Sequence, residues 1–326
     1  MKNTNLLSSN YSSDGTISVS IKSNEVLANI SGTLDKNFKL IEEKVGSKIY
    51  FRGNSIIIKG NPAKNKKVEQ AINFLVERYL ANGIIEEKDV ISSLNSEMNN
   101  LSNKNLYSVG EAIKTPRKSI IPRSAVQKKY IEALKSKEII MALGPAGTGK
   151  TYLAVAVAIT MLLDKKIDKI ILSRPAVEAG ERLGFLPGDM KEKVDPYLQP
   201  LYDSLYDLLG YEKIQKKIEI GEIEIAPLAF MRGRTLKNCF AILDEAQNAT
   251  KTQIKMFLTR IGENSKLVVN GDPSQVDLLN KNSSGLTNST EILKKLKEIA
   301  ILEFDQRDVV RNPLVSKIVE AYQENE

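Results

Sequence analysis

Residues 144–151 read GPAGTGKT, with the apolar run EIIMAL before them and the helical stretch YLAVAVAITMLL after. The spacing G-x-x-x-x-G-K-[ST] between a strand and a helix describes a loop whose backbone N–H groups curl around phosphate oxygens, which is why it needs glycine. We assign the whole loop, Gly144, Pro145, Ala146, Gly147, Thr148, Gly149, Lys150 and Thr151, to the phosphates of a nucleotide. Lys150 is expected to reach the β and γ phosphates, and the Thr151 hydroxyl to ligate Mg²⁺. Such a loop belongs in a mostly parallel sheet, where ligands gather at the carboxyl ends of the strands.

The rest of the second half agrees. EIIMAL, KIILSRP, IEIAPL, CFAILDE, KLVVNGD and IAILEF are short apolar runs separated by helical stretches such as TQIKMFLTRI and EILKKLKEIA. This alternation predicts an α/β P-loop fold with helices sandwiching the sheet. One of the runs, AILDEAQN, ends in two adjacent acids. Paired carboxylates closing a buried strand are costly unless a cation lies near. Asp244 is placed to support the Mg²⁺ held by Thr151, and Glu245 to act as base toward the attacking water. Decoration of a strand end is the plainer alternative.

Other candidates follow the same logic. VVNGDPSQ ends a strand in Asp272 and Gln275, polar groups able to feel a γ-phosphate, although Gly-Asp-Pro is also an ordinary turn. Gln127 could pair with adenine while the ring of Tyr130 stacks on the base, or it could be a helix-surface amide. Among the arginines, Arg174 ends the second strand and Arg307 and Arg311 follow the last, and guanidinium forks suit phosphates.

Ahead of this region the texture differs. TISVSI alternates as a strand, LDKNFKLIEEKV places Leu34, Phe38, Ile41 and Val45 on one helical face, and a hairpin turns at Gly-Asn in SKIYFRGNSIIIKG. With a short helix near residues 25–30 and the helix KKVEQAINFLVERYL, the order is β-α-α-β-β-α. That order resembles a KH module, a single-stranded RNA binder that uses a GxxG loop, but ISGTLDKN supplies only Gly32. We therefore divide the chain into a disordered start over 1–12, a small α+β KH-like domain over 13–85, a Ser/Asn/Pro-rich linker over 86–119, and the P-loop domain over 120–326.

Composition removes several function classes. The chain has no histidine, which excludes imidazole acid/base catalysis, His-dependent triads and His-bearing zinc sites. Its single cysteine, Cys239, sits in an apolar run and reads as a buried thiol. The start MKNTNLLSSN lacks an apolar signal region, and LAVAVAITMLL is too short for a membrane span, so no membrane partner and a cytoplasmic location are expected. Most of the net charge of +7 falls in the first 119 residues, which suits a polyanionic partner or an ordinary solvated surface.

Taken together, GPAGTGKT, SRPAVEAGERLGFLPGDMKEKVDPYLQPLYD, FMRGRTL, ILDEAQN, NGDPSQ and RDVVRNPLV resemble the PhoH family of bacterial ATPases, in its PhoH-like branch with a KH-like amino-terminal region. The resemblance is close from about residue 121 onward. It implies a single helicase-like motor domain that binds ATP and Mg²⁺, RNA or ribonucleoprotein partners in RNA metabolism or ribosome maturation, and an endoribonuclease partner. Two positions depart from the family: Asn270 replaces Thr and Asn312 replaces His. Two-domain motors supply an arginine from the second domain, and this chain has room for one such domain. A homo-oligomer, possibly a hexameric ring, that delivers Arg307 or Arg311 in trans is the expectation. Two other readings stand beside the ATPase: a nucleotide-gated adaptor with negligible turnover, and a small-molecule kinase, against which Glu245 beside Asp244 argues.

Overall fold

The computed structural model describes residues 6–94, 112–175, 190–278 and 284–309. The chain forms two compact units.

The first unit is built on a four-stranded antiparallel sheet. Its strands are β1 (Leu7–Tyr11), β2 (Ile17–Ile21), β3 (Lys48–Arg52) and β4 (Ser55–Lys59), in spatial order β1-β2-β4-β3. Helices α1 (Asn24–Ser31), α2 (Lys36–Val45), α3 (Pro62–Asn82) and α4 (Glu87–Ser93) complete it. Alternation in β2 and β4 sends Ile17, Val19, Ile21, Ile56 and Ile58 inward against Phe38, Ile41, Val68, Ile72 and Leu75 of the helices. The predicted element order therefore appears, with a strand added in front. Residues 7–11 are not disordered: they pair with β2, and the Tyr11 hydroxyl donates to Glu69 at 2.7 Å. A polar edge strand of this kind hides from apolar periodicity because backbone pairing, not burial, recruits it.

The linker boundary also shifts. α4 belongs to the first unit, with Val90 in its core and Asp89 buried between Arg78 and Arg123, at 3.0 Å from each. Residues 119–125 group with this unit, whereas 113–118 group with the second. Leu34 is a further correction. It lies outside α2 with φ of 55°, followed by Asp35 at 57°, and is 83% exposed. Asp35 tolerates that left-handed backbone, while Leu34 pays a steric penalty there.

The second unit contains α5 (Ala125–Ser136), β5 (Ile139–Leu143), α6 (Lys150–Leu163), β6 (Lys169–Arg174), α7 (Met190–Leu209) and α8 (Tyr211–Glu219). It continues through β7 (Ile223–Pro227), β8 (Cys239–Leu243), α9 (Lys251–Leu258), β9 (Lys266–Gly271), α10 (Leu286–Leu293) and β10 (Ile299–Glu303). All six predicted strands form one parallel sheet, ordered β10-β5-β9-β8-β6-β7. Its central strands are buried on both faces, as parallel strands under helices must be. Met141, Leu143, Ala241, Leu243, Leu267 and Val269 face Ile254, Phe257 and Leu286 on one side. The alternate residues face α6, which packs on β6, β8 and β9. The order leaves β9 between the strand feeding the loop and the strand ending in Asp244. All three carboxyl ends meet at one edge.

Candidate functional site

The loop between β5 and α6 has the backbone that its glycines allow. Gly144, Gly147 and Gly149 have φ of 138°, 84° and 81°. At Gly144 a Cβ would stand 2.3 Å from the Phe304 carbonyl oxygen, so no larger residue fits between the loop and the end of β10. No side chain caps α6, which leaves its first N–H groups directed at the loop's hollow. Lys150 is 92% buried, and its ammonium donates to the Gly144 and Pro145 carbonyls at 2.7 and 2.8 Å and to the Thr148 hydroxyl at 3.1 Å. The Ala146 N–H donates to Asp272 Oδ2 at 3.2 Å. Loop groups that could hold phosphate are thus engaged by the protein's own oxygens.

The acids of the DEAQN turn lie beside the loop. Thr151 donates a short hydrogen bond to Asp244 Oδ1, bridging two strand ends separated by β9. Asp244 Oδ2 accepts from Arg174 Nε at 2.9 Å and Nη2 at 2.6 Å. Arg174, expected on phosphate, lies on the acid. Glu245 turns away from the strand with φ of 53° and is half exposed, with Oε2 accepting from Gln247 Nε2 at 2.6 Å. The buried Gln247 also accepts the Asp272 N–H at 3.0 Å through Oε1. One amide therefore connects Glu245 to the end of β9. Asn248 makes a second such connection, exchanging hydrogen bonds with Asp277.

At β9 the Asp272 carboxylate also accepts from Gln275 Nε2 at 2.8 Å and from the Ser274 backbone and hydroxyl. Asp272 and Gln275 thus lie at the loop together with Lys150, Thr151, Asp244 and Glu245. Gln127 is buried, and its Nε2 donates to the Thr148 carbonyl at 3.0 Å, buttressing the loop from α5.

One expectation parts from the structure. Tyr130 cannot stack on a base, because it is fully buried, edge-to-face with Phe304 at 5.5 Å. Burial pushes its hydroxyl above the usual phenol range, so it remains a donor and bonds Asn270 Oδ1 at 2.8 Å. Asn270 Nδ2, also buried, has no hydrogen-bond partner among the described residues. Arg307 is folded back on Asp305, Nη2 to Oδ2 at 2.5 Å, within a tight turn capped by Asp305 and Asp308. Arg311, like Asn312, lies outside the described residues. Arg234 serves the fold, forking onto Glu224 at 2.5 and 2.9 Å.

Sequence reasoning missed Gln247, Asn248 and the Tyr130–Asn270 pair. The signal was present in DEAQN: two amides directly after two acids at a strand end can bridge to the neighbouring strand end.

No group of three or more His, Cys, Asp or Glu that could hold a metal occurs among the described residues. The donor set of Thr151 hydroxyl and Asp244 carboxylate fits Mg²⁺, which prefers one or two protein oxygens and takes the rest from phosphates and water. No helix among the described residues is long and apolar enough to cross a membrane.

A parallel sheet with a glycine loop at one strand end, and a buried acid facing that loop from a strand two places away, defines a nucleotide-binding P-loop protein. The sequence profile of the PhoH-like protein family matches residues 119–323, and the chain belongs to that family. A PhoH-like protein of Bacillus subtilis is 45% identical over 304 residues, 93% of this chain and 95% of its own length. One from Mycobacterium tuberculosis H37Rv is 44% identical over 91% of this chain and 85% of its own. Protein PhoH of Escherichia coli K12 is 46% identical over 205 residues, 62% of this chain and 58% of its own. Among solved structures, the Sulfolobus solfataricus SWI2/SNF2 ATPase core in complex with dsDNA aligns with a TM-score of 0.36 at 14% identity, covering 62% of this chain and 47% of its own.

Proposed function

We propose that this chain is a Mg²⁺-dependent ATPase of the cytoplasm that couples hydrolysis to the handling of RNA or ribonucleoprotein. The observation that carries the reading is the Thr151 hydroxyl bonded to Asp244 at the mouth of the glycine loop, one residue from a half-exposed Glu245. Lys150 and the loop amides would turn from their internal partners to the phosphates. Thr151 and Asp244 would hold Mg²⁺, which supplies charge stabilisation to the phosphates when bound. Glu245, its carboxylate aimed by Gln247, would take the proton of the attacking water. Gln275 would be freed toward the terminal phosphate as Asp272 yields the Ala146 N–H.

A polyanionic partner is supported by the first unit. Lys48 stands directly opposite Lys59 across β3 and β4, both exposed. Like charges at such a pair are unfavourable for the fold, and Glu42 offsets Lys48 at 3.8 Å. Lys64 Nζ lies 3.2 Å from where a Cβ on Gly46 would be, close to Lys44 and Lys48 in the chain. This lysine face suits a phosphodiester backbone. The Gly32 loop, where a GxxG module would clamp it, ends in Asp35 instead.

The test is steady-state release of phosphate from ATP, and from GTP in parallel, with and without single-stranded RNA at fixed salt. Release stimulated by RNA supports the reading, and an absence of release in every condition overturns it. The closure of Arg307 on Asp305 favours a second reading, a nucleotide-gated adaptor with negligible turnover that recruits a ribonuclease or RNA partner. For the ATPase reading, a ring of identical subunits would supply the arginine from a neighbour. Mixing Arg307→Ala, Arg311→Ala with Lys150→Ala should then restore activity, and a mixture as inactive as its components would exclude delivery between subunits.

A further inference from the structure

A carboxylate buried as deeply as Asp244 needs a cation, and in this structure the cation is Arg174. The contact is built by the sheet. Ser173 lies opposite Leu243 in the β6–β8 register, and its carbonyl accepts the Asp244 N–H at 2.8 Å. The next residue, Arg174, is thereby delivered beside the acid. Its side chain and that of Asp244 are 16% and 5% exposed, and its Nη2 stands 3.7 Å from Glu245 Oε1 as well. A planar fork can face both acids at once, which a single ammonium cannot. Both oxygens of Asp244 are taken, Oδ2 by Arg174 and Oδ1 by the hydroxyl of Thr151. A divalent cation held beside Thr151 and a guanidinium on Oδ2 compete for one carboxylate, because two positive charges so close together repel strongly at a partly dry site. The anion side mirrors this, with Asp272 on the Ala146 N–H.

We infer that Arg174 is the counter-ion that Mg²⁺ displaces. It holds Asp244 neutralised and positioned in the metal-free site, releases it when the metal arrives with nucleotide, and so sets the Mg²⁺ dependence of nucleotide binding. Arg174 is a positioning residue in this account, and the inference rests on the nucleotide reading above.

The experiment uses the full chain and a fluorescent, non-hydrolysable ATP analogue, titrated in EDTA and across a Mg²⁺ series. In Arg174→Gln the Mg²⁺ concentration at half-maximal binding should fall about tenfold, the scale of one lost charge contact near a protein surface. In EDTA the same variant should bind the analogue more weakly, because uncompensated Asp244 repels the triphosphate. Opposite signs in the two arms separate this role from a structural one, which would weaken both. Arg174→Lys, which keeps the charge but loses the fork, should fall between wild type and Arg174→Gln in each arm. An unchanged or raised Mg²⁺ midpoint in Arg174→Gln overturns the inference. If that variant does not fold, arginine-labelled wild type is read by NMR. The Arg174 Nε–H resonance should move when Mg²⁺ joins the analogue and stay in place with analogue in EDTA, and a resonance indifferent to Mg²⁺ overturns the inference. Wild type that fails to bind the analogue, or binds it without regard to Mg²⁺, would instead sink the nucleotide reading itself.

Discussion

Both units bury charge, but they bury it in different places. In the first, Asp89 receives Arg78, Arg123 and the Glu86 N–H, three partners that close the α3–α4 junction and involve no strand end. In the second, Lys150, Asp244 and Asp272 are all buried at the carboxyl edge of one sheet. Neighbouring strands of an antiparallel sheet run in opposite directions, so their carboxyl ends alternate between edges. A parallel sheet brings every carboxyl end to the same edge, where side chains from distant parts of the chain can share one ligand. The contrast suggests a rule for this molecule: charge buried at the helix junction maintains the fold, and charge buried at the parallel edge serves a ligand.

Substitutions can break that contrast. Lys150→Ala should lower nucleotide affinity by about a hundredfold or more, the usual cost of removing a buried partner of a charged group. Binding of a labelled nucleotide measures it. Asp89→Ala should do the reverse. It leaves the buried Arg78 without its carboxylate, while Arg123 keeps Glu86 at 3.5 Å, and should reduce the stability of the first unit by about 3–5 kcal/mol, read by urea melting, with nucleotide affinity kept. A large loss of nucleotide binding in that variant would remove the distinction.

Titration offers a gentler probe. Burial pushes the Glu77 carboxyl from its ordinary 4.5 up to about 7. The folded state therefore holds a proton that the unfolded chain loses. Stability from this group is fully present below about pH 4.5 and declines as pH rises to about 7. Glu77→Gln should stabilise the first unit above pH 7 by on the order of 2–3 kcal/mol and change little at pH 4. Equal melting midpoints for the two proteins at pH 8 would contradict this. The smallest effect is expected from the lysine face. Lys48→Ala with Lys59→Ala should lower the salt-dependence slope of RNA binding by about one to two, without altering ATP affinity.

Much of the second unit was legible because its signals are local. A glycine loop between a strand and a helix and six apolar runs are visible in a linear reading, and each run became a parallel strand. The same holds for Asp244, whose place at a strand end is written in CFAILDE. What stayed hidden depends on pairings across the sheet. Nothing near Arg174 in the chain says that β6 will lie against β8 and deliver it to Asp244, and nothing near Tyr130 points to Asn270, 140 residues away. In the first unit the misreadings share a physical cause. Apolar spacing could not reveal a polar strand held by backbone pairing, nor a Leu34 forced out of its helix by a left-handed turn. Cys239 is buried, as its apolar surroundings imply, and burial raises its thiol above the usual range, which disfavours the thiolate form.

The central claim is that the acids at the end of β8 govern the attacking water of a bound triphosphate. It is tested most directly by comparing phosphate release and ATP binding in wild type and Glu245→Gln, at saturating Mg²⁺ and under the same salt. The account predicts that release falls by about 10²- to 10⁴-fold while binding is retained, since a glutamine can still accept from Gln247 but cannot take a proton. Release in Glu245→Gln equal to that of wild type would contradict it.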